Sequence, residues 1–152
     1  MDLSVIRERI LATPLVKGLP ENMRQRFVMM LLWVADTRHV MREEQIFKLG
    51  EKDSGTGCMV LEGMVRIKTE RDAKKTIGSP DILGEVQLFT PQGTRTATVE
   101  VVVGGEVLMF QWRDLGAAAH QFYTEEELAT LKKTILDSAW KRDASVFEKI
   151  PK

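Results

Sequence analysis

The sequence predicts a mostly β domain with helices on both sides, and three observations carry that expectation. Short apolar runs punctuated by Gly, Asp, Ser and Pro crowd the middle of the chain. Apolar residues at three-four spacing mark both ends, which is the period of an amphipathic helix. The length of 152 residues suits one domain with a real hydrophobic core. The expected division is a single domain over 1–152, with N-terminal helices in 1–36, a β region in 37–112 and C-terminal helices in 113–152.

At the start, "LSVIRERIL" places Leu3, Ile6 and Ile10 on one helical face. Gly18 and Pro20 interrupt the pattern, and Pro20-Glu21 suits the first turn of a new helix. That helix carries the longest apolar run, "FVMMLLWVA", from Phe27 to Ala35. Such a run is too short for a membrane span, which needs about 20 residues. Its Met and Leu stripe reads as core packing, because Met fills irregular interiors.

The β region follows as "HVM", "QIFKL", "CMVLEG", "MVRIK", "KKTIG", "DILGEVQLF", "RTATVEVVV" and "EVLMFQW". Turn signals separate them in "LGEKDSGTG", "IGSPD", "TPQGT" and "VGGE", a pattern expected of a sandwich, roll or barrel. In "GMVRIK", Val65 and Ile67 share one face while Arg66 and Lys68 share the other. The nearly continuous valines of "VEVVVGG" suit a strand buried on both faces or sitting in the middle of the roll.

Helix returns from about Trp112. Thr124 with Glu127 three residues on forms a capping box, and the glutamates of the first turn favour the positive end of the helix dipole. Leu128, Leu131, Ile135 and Ala139 continue at three-four spacing, with Arg142 and Val146 less regular, so one long helix with an apolar face is expected.

Composition excludes several functions. Lys and Arg number 22, Asp and Glu 22, so no global field recruits nucleic acid or an anionic membrane. Cys58 is the single cysteine, which forbids an internal disulfide and fits a reducing, cytoplasmic setting. His39 and His120 lie far apart and match no metal-ligand spacing, which also argues against a metal-dependent barrel enzyme. No Ser-His-Asp, Cys-His or paired-carboxylate arrangement stands out, so neither catalysis nor a cofactor is expected. The N-terminus "MDLSVIRERI" mixes charge signs and lacks the apolar core of a signal peptide.

The chemistry concentrates in "DILGEVQLFTPQGTRTATVE", residues 81–100. Gly84 and Glu85 precede a turn-rich segment, and Arg95, Thr96 and Ala97 follow it. The intervening loop can turn backbone N–H groups inward, and such a concavity with an arginine suits a phosphate. Arg95 offers a planar fork of donors, Thr96 a hydroxyl, Glu85 an acceptor for a sugar hydroxyl, and Gly84 room for close backbone approach. The residues alone leave two readings open: a sugar-phosphate site, or a hairpin salt bridge between Glu85 and Arg95.

Several separated pieces occur in the order of one known family. "FKLGEKDSGTGCMVLEGMVRI" supplies Gly50, Gly55 and Gly63, "SPDILGEVQLF" resembles the approach to a phosphate-binding cassette, and "RTATVEV" resembles its end. From about Leu15 to Lys141 the chain resembles a cyclic-nucleotide-binding domain of the catabolite activator type. The resemblance implies a β-roll (a double-stranded β-helix, jelly-roll-like) with N-terminal helices and a long C-terminal helix. It implies a cyclic purine nucleotide, cAMP or cGMP, as ligand. Glu85 would accept from the ribose 2′-hydroxyl, Arg95 would pair with the cyclic phosphate, and Thr96 would donate to it or near the purine. Gly84 and the backbone at Val86 and Gln87 would donate N–H groups, with Ala97 at the end of the cassette and Ile67 packing on the base. The last helix would close the site and form a homodimer seam or meet a protein partner, and Trp140 to Asp143 fall where the base is capped.

Departures are visible too. Gln87 stands where the family has a small residue, Pro80 where a Gly often precedes the Asp, and Lys74 and Lys75 lie near the expected base. Family regulators place a helix-turn-helix after the long helix, and "FEKIPK" leaves no room for one, so direct DNA binding is not expected. The alternatives are a fragment of a transcription regulator and a degenerate domain kept as a ligand-independent interaction module.

Overall fold

The helix that opens the chain, α1 (Leu3–Leu11), begins where Asp2 accepts a 3.0 Å hydrogen bond from the Val5 amide. This satisfies one of the N–H groups a helix start leaves unpaired. A computed structural model describes residues 1–52, 55–70, 74–78, 80–83, 95 and 97–147, with side chains on the last helix up to residue 138. A short helix, α2 (Pro14–Lys17), with Pro14 at its first turn, precedes the break foreseen at Gly18 and Pro20. The third helix, α3 (Glu21–Val34), starts immediately after Pro20 as expected.

Among the described residues eight strands follow: β1 (Asp36–Val40), β2 (Gln45–Phe47), β3 (Thr56–Val60), β4 (Met64–Thr69), β5 (Lys74–Gly78), β6 (Asp81–Leu83), β7 (Ala97–Val103) and β8 (Gly105–Gln111). They form two antiparallel four-stranded sheets, β1-β8-β3-β6 (sheet A) and β2-β7-β4-β5 (sheet B). The chain ends in α4 (Trp112–Phe122) and α5 (Glu125–Phe147). The mostly β roll with helices on both sides is therefore the architecture observed.

Two cores stabilise it, one on each face of sheet A. Between the sheets lie Val40, Phe47, Cys58, Val60, Val65, Ile67, Ile77, Leu83, Val99, Val101 and Val107. On the outer face of sheet A, Met59, Ile82, Leu108 and Phe110 pack with Phe27, Met30 and Leu31 of α3 and Leu115 of α4. Sheet B has a single buried face, and β4 alternates buried Val65 and Ile67 with exposed Arg66 and Lys68. The valines of β7 follow the same rule. β7 does lie in the middle of its sheet, between β2 and β4, yet its burial alternates, with Val99 and Val101 buried and Thr98, Glu100 and Val102 half-buried. Full burial on both faces, one of the two expectations, does not occur there, because no helix among the described residues covers sheet B.

The turns obey local chemistry. Gly63, between β3 and β4, has φ +109°, and a Cβ there would lie 2.5 Å from the Val103 carbonyl oxygen. Only glycine suits such a position. Gly50, with φ +80°, donates its N–H to the Arg95 carbonyl at 2.9 Å and so ties the turn after β2 to the entrance of β7.

Both halves of the expected capping box form at α5: the Thr124 amide donates to Glu127 Oε1 at 3.1 Å, and the Glu127 amide to Thr124 Oγ1 at 3.2 Å. The same carboxylate receives Arg26 of α3, whose Nη1 donates to Glu127 Oε1 at 3.0 Å and to the Phe122 carbonyl at 2.9 Å. Tyr123 donates its hydroxyl to the Met23 carbonyl at 2.7 Å. The start of α5 is thus fixed to α3 by polar contacts as well as by the burial of Leu131 and Ile135.

Candidate ligand site

Register in sheet B aligns its inward side chains in rows. Val99, Ile67 and Lys75 are partners across β7, β4 and β5, and Val101, Val65 and Ile77 form the next row. Directly opposed residues in a sheet share a face with Cβ atoms about 5 Å apart. Lys75 therefore stands beside Ile67 and faces into the roll, half-buried, whereas Lys74 is exposed. Counting back along β7, Ala97 pairs with Thr69, and Arg95 lies two residues further on the inward phase.

Arg95 is 5% exposed, a rare environment for a guanidinium. Its amide donates to the Glu51 carbonyl at 2.8 Å, and its Nη2 donates to the Thr56 carbonyl at 2.9 Å. The guanidinium carbon sits 3.9 Å from the centre of the Phe47 ring, a cation–π contact. The side chain thus reaches from the end of sheet B to the first residue of β3 in sheet A.

The two sheets part where β5 and β6, each an edge strand, diverge. An open cleft of about 520 Å³ lies there, lined by Leu15 of α2, Lys75 and Ile77 of β5, and Thr134, Asp137 and Ser138 of α5, among others. Its size falls in the range of small-molecule sites, roughly 300–1,000 Å³. Apolar Leu15 and Ile77 face polar α5 side chains, and Ile77 joins the cleft to the core between the sheets. α2 and α5 approach closely: a Cβ on Gly18 would lie 3.2 Å from Thr134 Cγ2.

Burial pushes the Cys58 thiol up to about 12, so it offers no thiolate nucleophile. Among the described residues no group of three or more His, Cys, Asp or Glu side chains could hold a metal. His39 lies at the surface, 3.6 Å from Glu106. No helix among the described residues is long and apolar enough to cross a membrane.

Of the residues singled out in the sequence, Ile67, Arg95 and Ala97 are described, and all three lie on the inward side of sheet B. Gly84, Glu85, Val86, Gln87 and Thr96 lie outside the described residues, as does the side chain of Trp140. A Glu85–Arg95 bridge therefore lies outside them as well. Sequence reasoning placed Lys75 near a base but gave Thr134, Asp137 and Ser138 no role. The signal was present: those three repeat at three-four spacing beside the apolar stripe of Leu131 and Ile135.

The two-sheet roll carries an inward arginine, and the cleft beside it is walled by α5. Residues 37–121 match the model of the cyclic nucleotide-binding domain. The chain belongs to that family. A search of curated proteins finds no match. Among solved structures, the sensor domain of the transcriptional regulator DNR from Pseudomonas aeruginosa is similar at 15% identity and TM-score 0.65, over 90% of this chain and 91% of that one. The catabolite activator protein of Thermus thermophilus is similar at 20% identity and TM-score 0.64, over 88% of this chain and 59% of that one. The c-di-GMP-responsive global regulator CLP of Xanthomonas campestris is similar at 20% identity and TM-score 0.65, over 81% of this chain and 61% of that one. The chain thus spans about six-tenths of the length of these two regulators.

Proposed function

We propose that this domain senses a cyclic purine nucleotide, cAMP or cGMP, and reports its occupancy through α5. The supporting observation is that the inward rows of sheet B run from Arg95 through Val99, Ile67 and Lys75 to a cleft whose opposite wall is α5. A ligand held at the roll and touched by α5 biases the position of that helix by its differential contacts. In this reading Arg95 and Thr96 take the cyclic phosphate, Glu85 the ribose 2′-hydroxyl, and the amides of Gly84, Val86 and Gln87 complete the phosphate cradle. Ala97 and Ile67 pack under the nucleotide. The protein acts in the cytoplasm without catalysis of its own, and α5 carries the signal to a second copy or to a protein partner. DNA binding is no part of the proposed role.

Calorimetry of the full chain with each nucleotide tests this, together with melting curves. Ligand at a hundredfold over its dissociation constant raises stability by about 2.7 kcal/mol. Arg95→Met is expected to abolish the heat of binding in a protein that still melts cooperatively. Unchanged affinity in that variant moves the phosphate elsewhere, and absence of heat at millimolar nucleotide sinks the proposal.

One observation favours a second reading, in which the domain is a ligand-independent interaction module. Arg95 bonds to Thr56 and stacks on Phe47, contacts that brace the end of the roll. If bracing is its whole role, Arg95→Met lowers the melting temperature of a protein that binds neither nucleotide.

A further inference from the structure

Resting on the cyclic-nucleotide reading, we infer that the cleft selects guanine over adenine, so that cGMP is the preferred ligand. The inference comes from two charges of opposite sign placed in one cleft. Lys75, on the inward face of β5, lines it from the roll, and Asp137 lines it from α5. Among the described residues the ion pairs are Arg26–Glu127, Arg38–Glu44, His39–Glu106 and Arg113–Asp114. Lys75 and Asp137 belong to none of them. A second carboxylate of the cleft, Asp81, accepts a 2.8 Å bond from the Ile82 amide.

Ammonium groups can only donate and ionised carboxylates can only accept. Guanine presents O6 and N7 as acceptors on one edge and N1–H and N2–H₂ as donors on the next. A lysine over the first and a carboxylate over the second match it without a conflict. Adenine presents its N6 amino group flanked by the acceptors N1 and N7. Asp137 facing that edge meets the lone pair of N1 beside the N6 donor, and Lys75 finds a donor where guanine has O6. The hydroxyls of Thr134 and Ser138 can donate or accept, so they serve either base and do not discriminate. Leu15 and Ile77, which line the cleft, supply the apolar surface for a purine ring. Asp137 is exposed and Lys75 half-buried, so the discrimination is that of partly solvated groups, weaker than a fully buried pair would give.

The test is calorimetry of the full chain with cGMP, cAMP and cyclic inosine monophosphate, which keeps O6 and N1–H but lacks the N2 amino group. Wild-type protein is expected to bind cGMP at least about tenfold more tightly than cAMP, the scale of one good paired contact, with the inosine analogue between them. Asp137→Asn and Lys75→Met should each remove most of that preference, by weakening cGMP and easing the conflict with cAMP. Melting curves without ligand establish that both variants fold. Equal affinity for cGMP and cAMP in the wild type overturns the inference, as do variants that weaken the two nucleotides equally. In those cases cAMP still binds, and the parent reading stands. If none of the three nucleotides gives heat at millimolar concentration, the parent reading and the inference fall together.

Discussion

The two sheets are built from similar strands and solve different problems. Sheet A is covered on both faces, by the roll interior and by the helices, and β3 is accordingly buried almost continuously from Gly57 to Val60. Sheet B is covered on its inner face alone, and β4 alternates strictly between buried and exposed residues. Burial on two sides makes sheet A the platform that holds α3, α4 and α5 to the roll. The inner face of sheet B packs on sheet A through Val99 and Ile67, and their row ends at Lys75, a charge where apolar packing gives way to the cleft.

Truncation should expose the difference. Leu108→Ala removes a fully packed side chain from the outer face of β8, where sheet A meets the helices. A loss of about 3–4 kcal/mol is expected, since helix and sheet leave little freedom to collapse around the cavity. Ile77→Ala acts on β5, an edge strand beside the cleft, and should cost nearer about 2 kcal/mol because solvent and neighbours can relax into the gap. Urea unfolding of both variants measures the two values. Equal losses would mean that the covered and uncovered sheets are equivalent as structural supports.

Much of this was legible in the sequence because periodicity records which faces meet water. "GMVRIK" announced a one-sided strand, and the turn glycines Gly50 and Gly63 adopt the positive φ that their residue type permits. The capping box at Thr124 and Glu127 was a local rule and formed as read. β7 was not fully legible: its run of valines suits burial on both faces, and what decides the matter is whether a helix lies outside the sheet. That is tertiary information no window of sequence contains. Arg26 was invisible for the same reason, since its partner Glu127 is 101 residues away. At the site, residue types pointed to Arg95 and Ile67, whereas Lys75 and Asp137 come together only once β5 and α5 have packed.

The joint between sheet A's helices and α5 gives a third prediction. Hydrogen bonds from Arg26, then from the Thr124 amide, hold the Glu127 carboxyl well below its ordinary value, at about 2. A carboxylate depressed in the folded state contributes stability that is complete above its unfolded value, near 4.5, and is lost as pH falls through about 2. Glu127→Gln should therefore melt below the wild type at neutral pH, with the gap shrinking between pH 4.5 and pH 2. A gap independent of pH would assign the effect to packing, and the tie between α3 and α5 would lose its electrostatic basis.

The smallest effect belongs to the outer face of sheet B. Arg66 on β4 is exposed and lies directly across from Glu100 on β7. Opposite charges facing each other on a solvated sheet are worth roughly 0.2–1 kcal/mol, and like charges cost a similar amount. Arg66→Glu should therefore destabilise the domain by under about 1 kcal/mol at low salt. Near 1 M salt, where the Debye length falls to about 3 Å, most of that cost should vanish. Nucleotide affinity should stay unchanged, because residues 66 and 67 point to opposite faces of the strand. A cost well above that range, or one that salt leaves untouched, would show that the outer face of sheet B is covered in solution, and the contrast between the two sheets would then be one of partners rather than of burial.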